Sequence, residues 1–201
     1  MFATTLPGQP SLFGGGDPIP GPEFAGLHRI ALDDEAWLDY APTWLAGDET
    51  LYRVLADGVE WHQPEVTMYE RRVITPRLVG TVEMVLHPAI ATMSALLSDR
   101  YGVALDRVSA GWYRAGADSV AWHGDRIARE RESAIVATVS LGAARRFLLR
   151  PREGGRSRSY LLGHGDLVVM GGTCQRTWEH TVPKTARADG RIALMFRHAY
   201  D

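Results

Sequence analysis

The sequence predicts a mainly β protein with flanking helices, an α+β chain whose strands form an antiparallel sandwich or jelly roll. Three observations predict it. Beyond residue 107 the apolar pattern breaks into eight short runs rich in Val, Leu, Tyr or Trp, at 108–114, 119–125, 134–141, 145–150, 158–162, 166–170, 177–182 and 191–198. Gly, Pro, Asp or Ser separate them, which is how consecutive short strands read. Helical spacing is confined to the first half of the chain. A length of 201 residues with 45% hydrophobic and 23% charged composition is enough for one packed domain and short for two.

Residues 1–26 hold five prolines and the run Gly14, Gly15 and Gly16, so they read as an arm, extended on the domain or partly disordered. Residues 27–201 are expected to form the single domain. His28 to Leu32 reads as a short strand, and Asp33 or Asp34 caps an expected helix bearing Trp37, Leu38 and Ala41 on one side until Pro42. Leu51, Leu55 and Val59, each four residues on, mark an amphipathic helix with Gly58 near its end. Trp61, His62, Tyr69, Arg71, Arg72 and Arg77 crowd the next stretch. Such a hairpin either stacks on a base and holds phosphate or is an ordinary solvated surface. Pro88 opens a second helix to about Tyr101, with Ile90, Met93, Leu96 and Leu97 inward and Gly102 beyond its end.

A formal charge of -2 gives no global basic field, so contact with nucleic acid would use a local patch. One cysteine, Cys174, precludes an internal disulfide framework and fits a reducing compartment. With no apolar run of 18 residues and no basic-then-apolar leader, a cytoplasmic protein without membrane contact is expected, acting as a monomer.

Chemistry concentrates between Trp122 and Arg197. Residues two apart in a strand share a face, so His123 and Asp125 can hold one ion while Gly124 points away. Among the other histidines His180 is the best third ligand, since it follows the strand-like Thr177, Trp178 and Glu179; His28, His62, His87, His164 and His198 read as structural, with His164 in a turn. Two imidazoles and one carboxylate form a facial set that suits non-haem Fe(II) and leaves positions open for a co-substrate and oxygen. Arg191 and Arg197, six apart, face one side of a strand, and Ile192, Leu194 and Phe196 face the other. Inward guanidinium forks ask for an anion, and two of them ask for a dicarboxylate.

Over roughly residues 59–198 the sequence resembles the AlkB family of Fe(II)- and 2-oxoglutarate-dependent dioxygenases. The likeness is carried by Pro76, Arg77 and Leu78; by Trp112, Tyr113 and Arg114, then Asp118 to Asp125; by Val139 to Gly142 with Arg146 and Phe147; by Gly165 to Met170; by His180 with Pro183; and by Arg191 to Arg197. The resemblance implies a double-stranded β-helix, the cupin-like form of the jelly roll. It implies His123, Asp125 and His180 as iron ligands, Arg191 and Arg197 on the two carboxylates of 2-oxoglutarate, and a hydrogen bond from Tyr113. It also implies O2 as the second co-substrate and alkylated DNA or RNA as substrate, demethylated with release of formaldehyde, succinate and CO2. The stretch from Trp61 to Arg77, with Tyr69, then becomes a lid, Arg77 contacts substrate, and Trp122 beside the ligands is either a substrate contact or packing. The sequence shows three departures from the family pattern. Gly111 stands where an Asn is usual, Ile127 where repair members carry an acid, and Ala193 and Met195 replace polar residues between the arginines. Two other readings remain: a hydroxylase of a protein side chain or small molecule on the same iron, and a non-catalytic cupin-like binding module.

Overall fold

The structure is a computed structural model that describes residues 15–68, 71–125 and 132–198. It begins with β1 (Ile19–Pro20), β2 (His28–Ala31), β3 (Ala36–Ala41) and β4 (Leu45–Ala46), followed by α1 (Asp48–Gly58). A hairpin of β5 (Glu65–Met68) and β6 (Arg71–Ile74) leads to β7 (Leu78–Thr81), a 3-10 turn (Met84–Leu86) and α2 (Pro88–Tyr101). The expected strands then follow as β8 (Arg107–Tyr113), β9 (Val120–His123), β10 (Val136–Gly142), β11 (Arg145–Pro151), β12 (Arg158–Leu162) and β13 (Leu167–Gly172). A short helix, α3 (Cys174–Thr177), precedes β14 (Trp178–Val182), and β15 (Arg191–Arg197) completes the set. All eight expected strands are present, their ends within two residues of the expected ones.

Two antiparallel sheets face each other as a jelly roll. The larger runs β2-β3-β13-β10-β15-β8-β7, and the smaller runs β12-β11-β14-β9. At the centre of the larger sheet both faces are buried, which explains why β10 reads as an almost unbroken apolar run. On one face Ala137, Val139 and Leu141 pack with Leu51 and Leu55 of α1 and with Ile90, Met93 and Leu97 of α2. Each of those large aliphatic side chains is fully buried, worth roughly 1.5–3 kcal/mol. On the other face Val136, Val168 and Met170 meet Phe147, Leu149, Trp178 and Val182 of the smaller sheet. The site lies in this second layer, so α1 and α2 serve it only as a backing.

Local chemistry sets the helix ends as the sequence leads one to expect. Pro88 sits in the first turn of α2, and the His87 ring accepts the Ala89 N–H at 3.2 Å. At the far end Gly102 adopts φ 66°, a left-handed cap that glycine reaches without strain. His164 turns at φ 50° between β12 and β13, as expected of a turn residue.

One expectation is corrected: 36–41 is the strand β3, not a helix. Asp33 Oδ1 accepts the N–H groups of Glu35 and Ala36, the same side-chain chemistry as a helix cap, but here it closes the turn of the β2–β3 hairpin. The strand buries both faces, pairing with β13 along its whole length. The arm is placed in part. Ile19 and Pro20 pair with Ala46 and Leu45, and Phe24 stacks on Trp44 at 5.4 Å, whereas residues 1–14 lie outside the described residues. No helix among the described residues is long and apolar enough to cross a membrane.

Candidate active site

In the smaller sheet His123 of β9 lies directly opposite His180 of β14, and their ring centroids are 4.3 Å apart. Asp125 completes the group: one ligand atom from each of the three residues lies within 4.8 Å of the others. Strand alternation explains only half of this arrangement, because β9 stops at His123. The carboxylate is brought in by α3, whose Gln175 accepts the Asp125 N–H on Oε1 at 2.8 Å. Gly124 allows the approach, since a Cβ there would sit 2.3 Å from the Gln175 carbonyl oxygen.

The protonation states suit a divalent cation. His123 Nδ1 donates to the Ala121 carbonyl at 2.8 Å, which leaves Nε2 with its lone pair free. Burial, together with the neighbouring His123 ring, pushes His180 down to about 3, and burial lowers His123 as well. Burial alone would raise the Asp125 carboxyl. The Arg197 guanidinium and the imidazoles outweigh it and hold the group below the ordinary carboxylate range. Two neutral nitrogen donors and one anionic oxygen are therefore available at neutral pH, a set that fits Fe(II).

Opposite this cluster, β15 divides its side chains as the spacing predicts. Ile192, Leu194 and Phe196 are fully buried in the helix-backed layer, while Arg191, Ala193, Met195 and Arg197 line the cavity that also holds the two histidines and Asp125. Arg197 donates to both Asp125 oxygens at 3.2 and 3.3 Å and to Ser109 Oγ at 2.7 Å. Arg191 is 2% exposed, and its Nε and Nη2 meet Ser140 Oγ at 3.0 and 2.5 Å. Burial lowers it to about 10, so it stays charged at neutral pH. No carboxylate stands within 4 Å of Arg191 among the described residues. Tyr113 lines the same cavity, and its hydroxyl accepts from Arg77 Nη1 at 2.9 Å.

Seven of the residues singled out in the sequence thus converge: His123, Asp125, His180, Tyr113, Arg191, Arg197 and Arg77. Trp61 and Trp122 do not. Trp61 lies behind β8, 5.3 Å from Trp112, with its indole N–H on the Ala56 carbonyl. Trp122 alternates with His123 and so turns to the outer face of the smaller sheet, where Arg150 stacks over it at 4.2 Å. Tyr69 and Ile127 lie outside the described residues.

Sequence reasoning missed Ser109, Ser140 and Gln175, which hold the arginines and Asp125. A signal existed for Ser140. In β10, Thr138 and Ser140 are the polar residues at alternate positions of an apolar strand, and they mark its cavity-facing side. Gln175, in a four-residue helix, carries no such pattern.

Comparison with known proteins adds a family. The profile of the 2OG-Fe(II) oxygenase superfamily matches residues 48–197. Alpha-ketoglutarate-dependent dioxygenase alkB homolog 3 of Bos taurus is 30% identical over 158 residues, covering 73% of this chain and 55% of that protein. DNA oxidative demethylase ALKBH2 of Arabidopsis thaliana is 25% identical, covering 81% of this chain and 64% of its own. The chain therefore spans little more than half the length of the curated relatives it matches. Among solved structures, OsALKBH1 superposes with a TM-score of 0.56 at 13% identity, over 86% of this chain and 100% of that one, a likeness of fold.

Proposed function

Because the chain belongs to the 2OG-Fe(II) oxygenase superfamily, and within it to the AlkB family, we propose that it is a Fe(II)- and 2-oxoglutarate-dependent dioxygenase that oxidatively demethylates alkylated nucleobases in DNA or RNA. One observation carries this reading: a cluster of two neutral imidazoles and one ionised carboxylate shares a cavity with two inward arginines that, among the described residues, have no second carboxylate to neutralise them. In it His123, Asp125 and His180 hold the metal, and Arg191 and Arg197 take the two carboxylates of 2-oxoglutarate, with Tyr113 adding a hydrogen bond. The bound metal supplies activation of O2 coupled to decarboxylation of 2-oxoglutarate; on an N-methyl group the resulting hydroxylation releases formaldehyde.

The protein's own contribution is positional and electrostatic. Gln175 fixes the backbone at Asp125, and the Ala121 carbonyl fixes the tautomer of His123, so the donors are preorganised. Ser109 and Ser140 orient the two guanidinium forks at opposite ends of β15. Ala193, Phe147, Met170 and Val182 give the cavity apolar walls that exclude water and strengthen every charge interaction inside. A base in a duplex must leave its stack to reach such a buried group, so single-stranded or flipped bases are the substrates.

Anaerobic loading with Fe(II) and 2-oxoglutarate, followed by oxygen and a panel of N-methylated single- and double-stranded oligonucleotides, tests the proposal. Formaldehyde and succinate are expected from methylated strands only, and both are expected to vanish in His123→Ala. Turnover without formaldehyde from any methylated base would sink the demethylase reading in favour of a hydroxylase of protein side chains or small molecules, which the near-neutral net charge of -2 would suit. Absence of any 2-oxoglutarate turnover would leave a binding module.

A further inference from the structure

We propose that Arg77 is a third cationic contact for the dicarboxylate co-substrate, laid over Gly111 in the stretch between Arg191 and Arg197, and that it sets the direction in which Tyr113 donates; the proposal rests on the 2-oxoglutarate reading above. The register of two strands carries the first part. On the cavity side of β8, Tyr113, Gly111 and Ser109 stand opposite Arg191, Ala193 and Met195 of β15. Of the two rows between Arg191 and Arg197, Gly111 with Ala193 is the smaller. A dianion spanning the two end arginines must cross that row.

Arg77 fills the space this row leaves. A Cβ on Gly111 would meet Arg77 Nη1 at 3.5 Å, so the guanidinium lies against the glycine, and its chain enters one residue before β7. Its Nη1 donates to the Tyr113 hydroxyl oxygen at 2.9 Å. That oxygen therefore accepts on the Arg77 side, and its own proton is left to be donated elsewhere. Arg77 Nε is the buried side-chain polar atom without a hydrogen-bond partner among the described residues, and no carboxylate there pairs with the group. A buried charged donor lacking an acceptor is costly, and an anion held between Arg191 and Arg197 supplies the acceptor.

The test is anaerobic calorimetric titration of the Fe(II)-loaded protein with 2-oxoglutarate. Arg77→Met is expected to weaken binding at least about tenfold, the loss of a charged hydrogen bond, while Fe(II) affinity without co-substrate stays within about twofold. Adding Gly111→Asn to Arg77→Met is expected to recover part of the loss, because a carboxamide N–H then grows from β8 into the vacated space. In a double-mutant cycle Tyr113→Phe and Arg77→Met are expected to be less than multiplicative, as the hydrogen bond between them requires. Should Arg77→Met fail to fold by circular dichroism, Arg77→Lys carries the test, with a severalfold weakening expected from loss of the planar fork. A variant that binds 2-oxoglutarate as tightly as wild type overturns the proposal alone, even if oligonucleotide turnover falls. A wild-type protein that takes Fe(II) but no 2-oxoglutarate overturns the family-based reading together with it.

Discussion

Arg191→Met should leave the metal-free protein about as stable or more so, the opposite of what a fully buried side chain usually implies, if its charge is kept for a ligand. Arg191 is 2% exposed and meets a neutral hydroxyl, Ser140 Oγ, with no carboxylate within 4 Å among the described residues. Replacing buried ionic groups by apolar side chains of similar size is often neutral or stabilising by about 1–4 kcal/mol. Against this, Ser140, itself 1% exposed, loses its donor at a cost of about 1 kcal/mol. The net expectation is a change between a loss of about 1 and a gain of about 3 kcal/mol, each kcal/mol being about 2–4 °C in Tm for a chain of this length. Ligand response should move the other way. At 2-oxoglutarate a hundredfold above Kd, wild type with Fe(II) gains about 2.7 kcal/mol, and the variant gains nothing. Urea denaturation without ligand and thermal melts with and without 2-oxoglutarate under anoxia measure both halves. A variant destabilised by more than about 2 kcal/mol, or one whose Tm still rises with 2-oxoglutarate, would refute the reasoning.

Two further predictions concern the scaffold. Gly165→Ala should cost at least about 2 kcal/mol in urea denaturation, since residue 165 has φ 84° and a Cβ would lie 2.0 Å from the Leu45 carbonyl oxygen; an unchanged midpoint would contradict the crowding. Cys174 is 1% exposed and burial pushes its thiol up to about 12, so it stays protonated and shielded at pH 8. One equivalent should react with a thiol reagent only after denaturation, and fast labelling of the native protein would refute this.

The strands from residue 107 onward were legible because alternation and turn residues agree there, and agreement between levels is what a single fold requires. The juxtaposition of His123 and Asp125 was legible from spacing, although the physical cause differs from the expected one. Asp125 lies past the end of β9 and depends on Gln175, a tertiary contact that no local pattern announces. The segment 36–41 was misread because Asp33 can accept N–H groups two and three residues on in either a helix cap or a hairpin turn. Trp37, Leu38 and Ala41 fit both periods at that length, and only pairing with β13 decides between them. Trp122 was drawn toward the site by nearness to His123 in sequence, and Trp61 by its place at the start of the expected lid. Which way an aromatic points depends on the parity of its strand and on what stands behind it, as the Arg150 stack on Trp122 and the Trp112 contact of Trp61 illustrate.

The division of β15 also bears on how such a protein can change over time. One strand of seven residues supplies Ile192, Leu194 and Phe196 to the structural interior and Arg191, Ala193, Met195 and Arg197 to the candidate site. Deleting a single residue inside it would rotate every following side chain to the opposite face, sending charge into oil and oil into the reaction chamber. Folding and turnover would fail in the same step, so natural variation has no gradual route through this strand. Innovation in substrate choice is thereby steered to segments that carry one duty at a time.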